Sequence, residues 1–258
     1  MNRRPTFRPR AEDAFAMSLF YNILGQIANL DRKPPVTLFF VFVNAAVFFL
    51  PYLHLFILIP KEFEHIYDEA VRWTDIHKAC LIPALIVFHG DVYRIFLSTL
   101  VHGGSLHLVY NLSSFLYKGV VLETELGSIH LFVIIVYLMF SSSALYVLIA
   151  VIANNWDFDR SIMNNCCVGF SGVIFGLKVL VNSDDVYARH TENIFGFSMP
   201  KRTVWVELIL ASLAGPQVSF LGHLCGILAG LIYLYFARKA GLATQRRRGR
   251  RTLTESGL

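Results

Sequence analysis

The sequence predicts an all-α polytopic membrane protein of six spanning helices, with a short central fourth helix and a long first loop. Three observations carry that prediction: a composition poor in charge, a series of apolar runs of spanning length, and basic clusters at both ends. Of 258 residues, 55% are hydrophobic and 16% charged, whereas about a quarter of the residues in an ordinary soluble domain are charged. Arg3, Arg4, Arg8 and Arg10 crowd the N-terminus, and Arg246, Arg247, Arg248, Arg250 and Arg251 the C-terminus. Arginine-rich segments beside spans stay cytoplasmic. Both termini are therefore expected in the cytoplasm, which makes the number of crossings even. Basic runs can also bind nucleic acid, but in a chain this apolar no nucleic-acid partner is expected; the lipid bilayer is.

Residues 1–35 read as a cytoplasmic segment, in which 11–30 alternate apolar and polar positions like an amphipathic helix. A hydrocarbon core of about 30 Å needs about 20 apolar residues per crossing. The first such run, 36–60, is broken by Pro51. A segment of mixed character follows, from Lys61 and Glu62 to Asp91-Val92-Tyr93-Arg94. The stretch before the second span is too long for a plain connector and should carry structure of its own. Its apolar part, 81–88, is too short to cross and is expected at the interface.

The second and third spans fall at 105–122 and 129–153, with a polar connection at 154–165. The fourth, 168–181, rises only about 21 Å, well short of the core. Such a helix is tolerated where protein surrounds it, and the missing length can become a water-filled cavity. Fifth and sixth spans follow at 203–214 and 219–237, so 36–237 forms one six-helix domain and 238–258 a basic cytoplasmic tail. Starting from inside, spans four and six both begin on the outer side.

Span four opens on Gly169-Phe170-Ser171-Gly172, and span six carries Gly222-His223. Serine needs a base to take its proton and donors to hold the developing oxyanion. His223 lies at matching depth and is the candidate base. Gly222, Gly226 and Gly230 form a bare stripe on span six, and Gly172 and Gly176 a shorter one on span four; small-xxx-small faces let helix backbones meet. Either motif alone is better explained by chance or helix packing; together they suggest a nucleophile and its base. His107 and Asn111, four residues apart on span two and preceded by His102, could supply N–H donors. They could equally be a polar knot between helices. Lys178 and Glu207 both fall toward the cytoplasmic side and are expected to pair, unless each snorkels independently.

Cys80, Cys166, Cys167 and Cys225 do not make a scaffold. None has metal-ligand spacing with nearby histidines, so neither a redox nor a zinc role is expected, and no cofactor. The N-terminus lacks the pattern of a cleaved signal peptide.

The set His102-(x4)-His107-(x3)-Asn111, Glu123-(x3)-Gly127, Gly169-x-Ser171-Gly172 and Gly222-His223-(x2)-Gly226-(x3)-Gly230 resembles the rhomboid intramembrane serine proteases over about 36–237. The resemblance implies a Ser171–His223 dyad without an acid. It implies an oxyanion hole of His107, Asn111 and the Ser171 backbone N–H, structural roles for Glu123 and Gly127, and a membrane-embedded first loop. Tyr93-Arg94 stands where the family often has Trp-Arg. Phe175 stands where many members carry a tyrosine that stacks on the imidazole; phenylalanine keeps the ring. The segment 168–180, Trp205-Val-Glu-Leu208 and Tyr117-Lys118-Gly119 most resemble the family's endoplasmic-reticulum subgroup. That implies cleavage of membrane-protein substrates in quality control, with the active site opening to the lumen. It also implies a contact between 246–251 and the valosin-containing AAA ATPase, for which a positive-inside anchor is the simpler reading. The alternative function is a non-catalytic, derlin-like binder of membrane clients.

Overall fold

The computed structural model describes residues 11–55, 57, 59–183, 192–194, 197–199, 204–213 and 219–240. The arginine clusters at 3–10 and 246–251 lie outside them. Among the described residues the regular structure is helical apart from a two-stranded antiparallel ladder of Glu192–Ile194 (β1) with Phe197–Met199 (β2) and the isolated bridge of Leu81 with Cys167. Three helical segments among the described residues are long and apolar enough to cross a membrane: Pro35–His54, Ser128–Asn155 and Phe220–Lys239. The chain is an all-α membrane protein.

The expected N-terminal helix forms as α1 (Ala11–Ala28), but it is not amphipathic. Ala16 and Ile23 are buried, while Phe15, Met17, Tyr21 and Leu24 are exposed. Beyond Glu12 and Asp13 in the first turn, Ser18, Asn22 and Gln26 make one thin uncharged stripe, with Gln26 Nε2 donating to Asn22 Oδ1 at 2.6 Å. Helix α2 (Pro35–Phe49) starts on proline, which is preset for a first helical turn, and gives way to a 3-10 turn at Leu50–Leu55, where Pro51 stands. Phe20 of α1 meets Phe49 at the far end of α2, with ring centroids 5.9 Å apart.

The long first loop consists of four short helices: α3 (Lys61–Thr74), α4 (Ile76–Ala79), α5 (Pro83–His89) and α6 (Arg94–Leu100). The apolar stretch at 81–88 lies mostly in α5. The Asp75 side chain accepts the His77 N–H at 2.9 Å and so caps α4. Two long helices follow, α7 (Ser105–Leu126) and α8 (Ser128–Asn155), separated by Gly127 at a φ of +84°. Then come α9 (Ser171–Val181), α10 (Val204–Leu213) and α11 (Phe220–Lys239).

Side-chain pairing fixes the directions. The Glu123 carboxylate, near the end of α7, accepts the Val36 and Thr37 N–H groups at 2.9 and 2.8 Å and the Thr37 hydroxyl at 2.7 Å. A carboxylate suits the positive end of α2. One turn earlier stands Gly119, where a Cβ would lie 2.6 Å from Thr37 Cγ2. Helices α2 and α7 are therefore antiparallel and in close contact. His130 and Tyr137 on α8 meet Tyr233 and the Ala229 carbonyl on α11 at 2.7 and 3.3 Å, which makes that pair antiparallel too. Helix α9 sits inside, with Val173 through Val181 all buried. Its eleven residues rise about 16 Å, and α7, α8, α10 and α11 surround it.

Candidate active site

The backbone that delivers Ser171 is irregular and held from two sides. Leu81 and Cys167 exchange N–H···O bonds of 2.9 and 3.1 Å, and the Gly169 N–H donates to the Ser98 carbonyl at 2.9 Å. Gly169 has a φ of +114°, and a Cβ there would lie 2.7 Å from His107 Cε1, 2.8 Å from Nε2 and 3.7 Å from Asn111 Nδ2. Both the conformation and the space require glycine. The turn before Ser171 is thus pressed against His107 and Asn111.

Those two side chains are arranged as donors. The Gly103 N–H approaches His107 Nδ1 at 3.4 Å. With Nδ1 as the acceptor, Nε2 carries the hydrogen and faces the turn. Asn111 Nδ2 donates to the His107 carbonyl at 2.9 Å. His102 lies behind, its ring 5.2 Å from that of His107 and its Nδ1 3.2 Å from the Leu100 carbonyl.

His223 stands at the start of α11, where the Ser219 hydroxyl accepts the Gly222 N–H at 3.0 Å. The imidazole is buried and stacks on Phe175 with centroids 4.4 Å apart and planes at 27°. Its Nδ1 finds no hydrogen-bond partner among the described residues. The glycine stripes bring α9 and α11 into backbone contact. A Cβ on Gly226 would lie 2.1 Å from the Gly172 carbonyl oxygen, and one on Gly230 would lie 2.7 Å from that of Gly176. A Cβ on Gly172, next to Ser171, would lie 3.6 Å from the carbonyl oxygen of Gly222, next to His223. Serine and histidine therefore sit on adjoining turns of two touching helices.

Beside Ser171 lies a cavity of about 30 Å³ whose lining residues include Ser98, Thr99, Ser142, Ser143 and Tyr146. That is room for about one water molecule. Sequence reading passed over these residues, although Ser141-Ser142-Ser143 interrupts an apolar helix and polar side chains at membrane depth are functional candidates.

At the other end of α9, Lys178 forms an ion pair with Glu207 of α10. Lys118 joins them, its Nζ 3.5 Å from Glu207 Oε1 and donating to Ser114 Oγ at 2.7 Å. Lys178 is 0% and Lys118 4% exposed, so neither reaches the membrane surface. Lys118 was not anticipated as a member. It lies seven residues after Asn111, on the same face of α7, which is the signal that could have found it.

The cysteines require a correction. Cys80 and Cys166 form a disulfide with Cα atoms 5.4 Å apart, while Cys167 and Cys225 are free. The partners are 86 residues apart and meet only because Leu81 pairs with Cys167. Spacing along the chain gives no sign of such a link.

The model of the rhomboid domain matches residues 89–240. The chain belongs to the rhomboid family. This rhomboid is 37% identical over 218 residues to rhomboid-like protein 14, mitochondrial, of Arabidopsis thaliana, covering 84% of this chain and 60% of that protein. It is 36% identical over 218 residues to rhomboid-related protein 4 of Mus musculus, covering 82% and 61%. Rhomboid protease GlpG of Haemophilus influenzae is 25% identical over 163 residues, covering 61% and 76%. The chain thus spans about three fifths of the length of the first two relatives. Every residue of the sequence-derived site from Asn111 to Gly230 lies within the matched domain.

Proposed function

We propose that this rhomboid is an intramembrane serine endopeptidase that cuts membrane-proximal or transmembrane segments of membrane proteins. The observation that carries the reading is the backbone contact of Gly172 with Gly226, which seats the turns bearing Ser171 and His223 side by side. Ser171 is the nucleophile and His223 its base. The serine proton passes to the imidazole as the oxygen attacks the scissile carbonyl. His107 Nε2–H, Asn111 and the Ser171 backbone N–H then hold the oxyanion. The C–N bond breaks as the imidazolium returns its proton to the leaving amine. A water from the cavity beside Ser171, deprotonated by His223, hydrolyses the remaining ester and frees Ser171.

Six crossings follow if α7, α9 and α10 complete the bundle with the three longest helical segments. A short α9 wrapped in protein fits that arrangement, because it has no need to reach lipid on either side. Residence in the endoplasmic reticulum, with cytoplasmic termini and the site opening to the lumen, is part of the proposal. A similar protein bears "mitochondrial" in its name, and cell fractionation separates the two locations.

The test is cleavage of a single-span substrate in vesicles by wild type, Ser171→Ala and His223→Ala. Wild type should cut and both variants should lose nearly all activity. Equal cutting by all three would overturn the dyad. Client binding without cleavage by the wild type would favour a derlin-like role.

A further inference from the structure

We propose that the Cys80–Cys166 disulfide is a positioning element of the active site: it fixes the backbone that delivers Ser171, and opening it lowers turnover. The last clause rests on the protease reading; the positioning itself does not.

The two ends of the bridge are held very differently. Cys80 is fully buried, and its carbonyl accepts Arg94 Nη1 at 2.9 Å. Arg94 also donates Nη1 to the His77 carbonyl at 3.3 Å and pairs through Nε with Asp91 at 3.0 Å. Arg94 is itself buried among these partners. The first loop therefore presents Cys80 from an anchored platform. Cys166 is exposed and ends the polar connection after α8. From Cys167 to Gly169 the chain makes no helical hydrogen bonds. It is held by the reciprocal pair with Leu81 and by the single bond from Gly169 to Ser98. Both contacts reach back to the same loop. The covalent bridge lies at the start of this short ladder, one residue before Cys167 and three before Gly169.

Register at Gly169 matters chemically because that residue touches the His107 ring. A shift of the 166–169 segment moves the Ser171 N–H and hydroxyl relative to His107 and Asn111, which stand on a different helix. Without the bridge, two backbone pairings must hold that register against the pull of the preceding connection. Exposure of Cys166 gives a reductant a line of approach. A thiolate of dithiothreitol attacks the Cys166 sulfur and releases Cys80 as the leaving thiolate. The second thiol then closes the reagent's own ring, so two electrons pass to the protein and both cysteines end as thiols.

Non-reducing digestion and mass spectrometry of the purified protein should recover a Cys80–Cys166 cross-link. Four free thiols would overturn the proposal. Dithiothreitol should then speed amide exchange at Cys167 and Gly169; unchanged exchange would also overturn it. Turnover should fall on the order of tenfold with KM unaltered, a partial loss beside the roughly hundredfold effect of a 1 Å misplacement. Cys80→Ser, Cys166→Ser and the double variant should each match the reduced wild type and ignore the reagent, and reoxidation should restore only the wild type. If kcat stays constant on reduction, the bridge does not position the site. If the oxidised wild type cuts nothing, the protease reading fails and amide exchange alone decides the positioning.

Discussion

Replacing Gly226 by alanine tests the helix contact on which the site depends. The added Cβ would lie 2.1 Å from the Gly172 carbonyl oxygen, 2.8 Å from its carbonyl carbon and 3.0 Å from its Cα, all of them backbone atoms of α9. No side chain can rotate away. Ordinary contact begins at 3.4 Å, so α9 and α11 must part by more than 1 Å at this level. Overpacking of this kind costs about 1–3 kcal/mol in stability, which a bundle of this size should survive. The catalytic cost is larger: His223 is less than one turn away on the same helix, and a 1 Å misplacement can cost about a hundredfold in rate. Gly226→Ala should therefore keep its helical circular dichroism and lose about two orders of magnitude in kcat. Gly230→Ala, with a closest approach of 2.7 Å one turn further from His223, should lose less. Gly222→Ala meets only the side chains of Cys167 and Ser219 at 3.1 and 3.2 Å and should lose least. The assay is cleavage of a single-span substrate in vesicles, with kcat and KM resolved. Wild-type turnover by Gly226→Ala would refute the reasoning.

Two further outcomes are expected. Glu207→Gln removes the carboxylate that Lys118 and Lys178 share. Breaking a buried ion pair costs about 3–5 kcal/mol, and the lower end applies because the Glu207 side chain is 27% exposed. The unfolding midpoint in detergent should fall further than for Lys118→Met, which leaves one pair intact. The exchange Lys178→Glu with Glu207→Lys should rescue only in part, since Lys118 then faces the new lysine; full rescue would mean that Lys118 is not coupled. Activity should also depend on pH. The base must be neutral to accept the serine proton, so cleavage should fall once acid protonates the buried imidazole, and a profile with no acid limb short of unfolding would count against His223.

Much of the architecture could be read from apolar run lengths, because lipid demands a nearly fixed number of residues per crossing. The brevity of α9 was visible for the same reason. The candidate site was legible where glycine marks a backbone requirement: Gly169 beside His107, and Gly226 beside Gly172. The unread features depend on three-dimensional meetings between distant segments. Cys80 and Cys166 are brought together by a single backbone pair. Lys118 joins Lys178 and Glu207 only because α7 and α9 run parallel. Ser142 looks like a tolerated polar residue until Gly172 is found with its Cβ position 3.2 Å from the Ser142 Oγ. Helix α1 misled for another reason: its stripe of Ser18, Asn22 and Gln26 alternates as an amphipathic helix would, yet apolar residues flank it on both sides.

The glycine contacts between α9 and α11 also bear on how the site responds to the bilayer. Helix α11 is long enough to feel membrane thickness and to tilt with it, whereas α9 is shielded on all sides. Because the two backbones touch at successive turns, a tilt of α11 carries α9 along. Ser171 and His223 then travel as one body, and their mutual geometry does not change with lipid composition. His107 and Asn111, on α7, meet that body through side chains and not through touching backbones. A thicker or thinner membrane should therefore leave the nucleophile's basicity untouched and instead alter its fit to the oxyanion donors. Under the proposed protease mechanism, lipid would then tune the stabilisation of the intermediate, not the generation of the attacking oxygen.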